Sequence, residues 1–225
     1  HLRALLEDVN LRTALIKEEL TEIREKYGDA RRSLIEYSGG DVSIEDLIAD
    51  ENVVITISHA GYIKRTNLSE YKTQNRGGVG QKSAGTRDQD FLEHLFVATN
   101  HQYMMFFTQK GKCFWMRVYE IPEGSKTAKG RAIQNLVNIE SDDKVKAFIC
   151  TQDLKDKDYI NSHNLIMVTK KGQVKKTSLE KYSKPRVNGV AAITIKEGDE
   201  LLEAKLTNGE SQIILAVKSG KLVRF

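Results

Sequence analysis

With 225 residues, 40% of them hydrophobic and 29% charged, the chain has the composition of a soluble globular protein, long enough for one large domain with an appendage or for two modest ones. No stretch approaches the roughly 18 to 20 consecutive apolar residues of a membrane-spanning helix, and two cysteines, Cys113 and Cys150, make neither a disulfide framework nor a metal-ligand spacing. The net charge of +4 is uneven: residues 1–50 carry 7 Lys/Arg against 12 Asp/Glu, residues 51–225 carry 28 against 19. Such a basic excess attracts nucleic acid through counterion release, but it is also a common solubility device.

The chain opens on His1 with no start methionine and no basic-then-apolar leader, and is expected to have been cut from something longer that works in a reducing cytoplasm. Leu2, Leu6, Val9, Thr13, Ile16, Leu20, Ile23 and Tyr27 recur in steps of three and four, which predicts one long α-helix within residues 1–35 with an a/d seam. Gly28 stands where its C-cap would fall. Such a seam packs either on its own domain or on a partner helix, and nothing nearby in sequence supplies the other half. Gly39 and Gly40 break the pattern, and residues 36–50 read as a linker.

From residue 51 to 225 the texture is all-β. Short runs rich in β-branched and aromatic residues alternate with Gly, Asn and Asp. Four copies of one unit align on their glycines: Val53–Ile57 leads to Gly61, Met104–Thr108 to Gly111, Leu165–Thr169 to Gly172, and Ile213–Val217 to Gly220. Continuous apolar runs suit strands covered on both faces, as in the inner parts of propeller blades. Ile63, Cys113, Val174 and Leu222, two positions after each glycine, start a returning strand. A second glycine follows the first three: Gly77, Gly130 and Gly189. Each lies in or beside basic residues, with Lys129 and Arg131 around Gly130 and Lys184 and Arg186 ahead of Gly189. A further hairpin, such as Leu95–Ala98 turning at Asn100 into the next inner strand, brings the content to about four strands per unit. The expectation is a propeller-like array of about three blades plus a final hairpin, forming an open arc or part of a larger disc.

Enzymatic constellations are absent from the sequence pattern. Asp88 and Asp90, Asp142 and Asp143, and Asp156 and Asp158 read as solvated turns, and His59, His94, His101 and His163 have no zinc or nucleophile spacing. The cations are better ordered. Lys64 and Arg65, Lys175 and Lys176, and Arg224 fall three or four positions after the repeat glycine, while the second copy has Phe114 and Trp115 there and its charge at Lys112 and Arg117. Such an array would form a track for a bent polyanion, or else a set of edge lysines that prevent aggregation.

The loop Gln74-Asn75-Arg76-Gly77-Gly78-Val79-Gly80 tips the balance, since closely spaced glycines allow backbone N–H groups to approach phosphate oxygens. This heptapeptide resembles the box Q-[RK]-R-G-G-[RK]-G of the C-terminal domains of DNA gyrase A chains. Gln74, Arg76, Gly77, Gly78 and Gly80 match; Asn75 and Val79 stand where cations are usual. Residues 20–32, Leu20 to Arg32, also resemble the helix end that leads into that domain. The resemblance implies a β-pinwheel with strands exchanged between neighbouring blades and duplex DNA wrapped on its basic perimeter. It implies further partners, a second gyrase A chain together with the gyrase B subunit, and support for ATP-dependent negative supercoiling. ATP and magnesium would belong to the B subunit, with no cofactor in this chain, and none of its eight tyrosines would attack DNA. The topoisomerase IV counterpart, which grips DNA without comparable wrapping, and a propeller-type protein-interaction module are the alternatives.

Overall fold

A computed structural model describes residues 2–33, 44–71, 76, 85 and 89–225. The chain divides into two units, His1–Val42 and Ser43–Phe225.

In the first unit the expected single helix is two, α1 (Leu2–Glu7) and α2 (Val9–Tyr27). The break is at Asp8. Its backbone is extended and its carboxylate accepts the Asn10 N–H, the competition for local donors that makes Asp a cap rather than a helix interior residue. Gly28 does end α2, giving its N–H to the Arg24 carbonyl. Its φ of −73° is open to any residue. Glycine is needed there because a Cβ would lie 2.3 Å from the Arg24 oxygen. Leu2, Leu6, Val9, Ile16, Leu20, Ile23 and Tyr27 are all exposed, so the unit does not cover its own seam.

The second unit is built from antiparallel strands. The first three repeats contribute β1 (Asn52–Ser58), β2 (Tyr62–Asn67) and β3 (Leu92–Thr99); then β4 (Tyr103–Thr108), β5 (Lys112–Arg117), β6 (Arg131–Ala132) and β7 (Val145–Thr151); then β8 (Asn164–Thr169), β9 (Val174–Ser178), β10 (Val190–Ala191) and β11 (Leu201–Thr207), with a short helix α3 (Lys157–Ser162) ahead of β8. A last hairpin, β12 (Ile214–Ala216) and β13 (Leu222–Arg224), forms a two-stranded sheet.

The sheet orders are β3-β1-β2-β6, β10-β5-β4-β7 and β11-β8-β9. They correct the expected second hairpin: β3 does not pair with β4 but returns to its own inner strand, Ile55 opposite Phe96. The fourth strand comes instead from the following repeat. Ala132 and Arg131 pair with Tyr62 and Ile63, and Val190 and Ala191 pair with Cys113 and Lys112. Each exchanged piece is two residues long, too short to show any periodicity in the sequence.

Period-two alternation explains how the sheets stack. Met104 and Phe106 of β4 join Val53, Ile55, Ile57 and Ile63 in one core, while Met105 and Phe107 join Leu165, Met167 and Leu201 in another. The inner strand β4 is therefore apolar on both faces because it separates two cores.

Polar residues staple the first three repeats at the same place. Ser58, Thr108 and Thr169 accept the N–H of the residue after the repeat glycine. Asp90, Asp143 and Asp199 each accept two N–H groups, from Ala60, Lys110 and Lys171 and from their own next residue. The reading of Asp90 and Asp143 as merely solvated turns is thus corrected. Asp143 is 1% exposed, whereas its neighbour Asp142 lies on the surface with Lys110. Asp143→Ala should cost about 2 to 3 kcal/mol, since it orphans two backbone donors, and Asp142→Ala no more than about 0.5 kcal/mol; paired thermal melts compare them.

The stretch read as linker, 36–50, is in part structural. Residues 34–43 lie outside the described ones, but Ile44–Leu47 forms a 3-10 helix. There Glu45 pairs with Arg117 at 2.7 Å, and Arg117 lies 3.9 Å from the Tyr103 ring centroid. Asn100 and His101 bind Ala49 and Asp50. No helix among the described residues is long and apolar enough to cross a membrane.

Candidate nucleic-acid interface

The exchanged strands bring basic loops to equivalent places in successive sheets. Each is entered through a glycine at positive φ, Gly130 (+75°) and Gly189 (+67°), where a Cβ would come within 2.7 Å of the Ile63 oxygen and 2.8 Å of the Cys113 oxygen. Only glycine allows this approach to the outer strand of the preceding repeat. Lys126 and Lys129 lead into β6, whose first residue is Arg131, and Lys181, Lys184 and Arg186 lead into β10. Lys129, Arg131, Lys181, Lys184 and Arg186 are exposed, and Lys126 is half-buried. Arg76 is exposed too. Gln74, Asn75, Gly77, Gly78 and Gly80 lie outside the described residues.

The cations expected on the returning strands behave differently. Lys64 is 3% exposed, and its Nζ donates to the carbonyls of Ser125 and Lys126 at 2.8 and 2.6 Å. Burial lowers its pKa, partly countered by Glu70. Arg65 donates from Nε to the Ile121 carbonyl and pairs with Glu123 at 3.1 Å. Neither is a rim cation, which corrects the expectation of a track through them. The cause is the exchange: the chain approaching β6 runs over β2 and covers these side chains.

In the second repeat, Lys112 is held by Glu140 at 2.6 Å and Arg117 by Glu45. The Glu140 carboxylate, hydrogen-bonded by Lys112 and Lys110, has its pKa lowered to about 2. The third sheet has no fourth strand over β9 among the described residues, and there Lys176 is exposed while Lys175, also exposed, reaches the Ala192 carbonyl at 2.6 Å. Arg224 on β13 is exposed. Of the cations expected on the returning strands, Lys64 and Arg65 are covered while Lys175, Lys176 and Arg224 are exposed; Lys126 and Lys181, outside that expectation, stand in the same basic runs as Lys129 and Lys184. The usable signal was the basic run just before each second glycine. No group of three or more His, Cys, Asp or Glu among the described residues could hold a metal ion.

Stacked antiparallel sheets built from sequence repeats, the first two completed by a strand of the next repeat, define a propeller-type domain with strand exchange. Comparison with known proteins gives its family. A family model described as the DNA gyrase C-terminal domain, beta-propeller, matches residues 52–99, 102–152 and 163–208, which are the three repeats from first strand to last. The chain belongs to that family.

Its relatives include the A chain of DNA gyrase from Buchnera aphidicola subsp. Baizongia pistaciae, 43% identical over 225 residues, covering 100% of this chain and 26% of that protein. The corresponding gyrase chain of Clostridium acetobutylicum is 40% identical over 224 residues, again 100% and 26%. The chain thus spans about a quarter of the length of these relatives. Among solved structures, the C-terminal domain of DNA topoisomerase IV superposes with a TM-score of 0.64 at 28% identity, covering 79% of this chain and 52% of that one. A DNA gyrase A C-terminal domain gives 0.58 at 23%, covering 77% and 54%, a likeness of fold.

Proposed function

We propose that this chain binds duplex DNA and wraps it, as the C-terminal part of a gyrase A chain. The observation that carries the reading is the recurrence of exposed basic loops, Lys129 with Arg131 and Lys184 with Arg186, at the entry to each exchanged strand. They offer phosphate contacts at equivalent places in two successive sheets, as wrapping of arbitrary sequence requires. Bending the duplex costs on the order of several kcal/mol, which successive contacts offset.

In the intact enzyme a wrapped segment would be handed to the cleavage core with fixed crossing hand, so that strand passage introduces negative supercoils. The B subunit would supply ATP and magnesium chemistry, a second gyrase A chain would complete an A2B2 assembly, and the enzyme would act in the cytoplasm on the chromosome. The relatives near 40% identity are named gyrase, so the topoisomerase IV reading has no better support.

Equilibrium binding to mixed-sequence duplexes over a range of salt tests the proposal. With six to seven exposed cations engaged, log K should fall against log salt with a slope of roughly −5 to −6, indifferent to sequence. Weak binding with a shallow slope would favour a protein-interaction module.

A further inference from the structure

Lys64 is a cation that folding places inside, yet it bonds nothing acidic directly: its two partners are successive carbonyls, those of Ser125 and Lys126. These belong to a tight turn, closed by the Ala128 N–H on the Ser125 carbonyl at 3.0 Å. The turn is clamped from the same side by Thr66 Oγ1 on the Gly124 carbonyl and by the Gly124 N–H on the Arg65 carbonyl. All peptide bonds described are trans. In a trans peptide the N–H points opposite to the C=O. Carbonyls aimed inward at Lys64 therefore turn the N–H groups of Lys126 and Thr127 to the other side of the turn, where Ser125 and Thr127 are exposed.

That outer side has the makings of an anion seat. The hydroxyls of Ser125 and Thr127 lie 3.4 Å apart. The Lys126 ammonium sits 4.7 Å from the Tyr71 ring centroid, which fixes it without neutralising it. The Gly85 N–H holds the Lys126 carbonyl from a further direction at 3.1 Å. Glu123 is paired with Arg65, and the charge of Glu70 acts on Lys64.

We infer that the Ser125–Ala128 turn is a phosphate seat for the DNA backbone, separate from the glycine-rich loop, in which Lys126 touches the phosphodiester and Lys64 is a positioning residue behind it. This rests on the DNA-binding reading above. Its distinguishing feature is that two lysines act as one: Lys64 contributes through Lys126 and makes no phosphate contact of its own.

The test is binding of the 225-residue chain to a mixed-sequence duplex across a salt series, with Lys126→Gln, Lys64→Met and the double variant. Lys126→Gln should lower affinity about tenfold at ~0.1 M salt and make the slope shallower by about one. Lys64→Met should do nearly the same, and the double variant should bind no more than about twofold worse than Lys126→Gln alone, because coupled residues are not additive. An unchanged slope for Lys126→Gln beside a steeply salt-dependent parent overturns the seat while leaving the DNA-binding reading intact. Multiplying losses in the double variant overturn the positioning role. If Lys64→Met melts below the assay temperature, the Lys126→Gln slope decides. A parent chain with no salt-dependent binding sinks the DNA-binding reading itself.

Discussion

Replacing Lys129, Arg131, Lys184 and Arg186 together by glutamine is expected to lower duplex affinity about four thousandfold at ~0.1 M salt and to make the salt slope shallower by about three to four. The size follows from counterion release, in which each phosphate contact contributes a slope near −0.9, or about eightfold at that salt. All four side chains are exposed, so each change should shift stability by no more than about 0.5 kcal/mol. A melting temperature close to the parent's, together with the lost affinity, would separate contact from folding. Affinity within tenfold of the parent would mean that the exchanged-strand loops are not the DNA track.

The second large effect concerns how successive repeats are joined. Gly61 and Gly111 sit at equivalent turns with nearly equal dihedrals, φ +83° and +84°. Around Gly61 a Cβ would meet nothing within 4 Å, but at Gly111 it would lie 2.3 Å from the Ile193 oxygen. The Gly111 carbonyl also accepts the N–H groups of Ala192 and Ile193, the residues just after the exchanged strand β10. Gly61→Ala should therefore cost only the left-handed backbone penalty, about 1 to 2 kcal/mol. Gly111→Ala adds displacement of the incoming chain and loss of those hydrogen bonds, for a total of about 3 kcal/mol or more. Denaturant unfolding of the two variants measures the difference. Equal losses would show that the approach of residues 192–193 contributes little to holding the repeats together.

This pair also shows what was readable beforehand. The repeat glycines and the apolar runs before them located every inner strand, because a tight turn needs positive φ and an inner strand such as β4, between two cores, needs apolar residues on both faces. The same glycines could not reveal that β3 pairs back with β1, since alternation does not name a partner. Depth was equally hidden: Lys64 and Lys176 occupy similar places after a glycine, but only the first is roofed by the chain approaching an exchanged strand. Asp142 and Asp143 are identical neighbours, and three-dimensional placement alone makes one a surface ion and the other a staple. The periodicity of the first helix runs straight through Asp8, so the break there depends on a local hydrogen bond that the seam conceals. The basic runs before Gly130 and Gly189 were visible as composition, and their meaning emerged only once those glycines proved to be the entry points of exchanged strands.

The most direct measurement ligates a nicked plasmid with this chain bound, removes the protein and reads the linking-number distribution on a gel. Wrapping with fixed handedness predicts a shift of one consistent sign that grows with protein and saturates. An unshifted distribution under conditions where binding is demonstrated would contradict the account, leaving a domain that grips DNA without wrapping it.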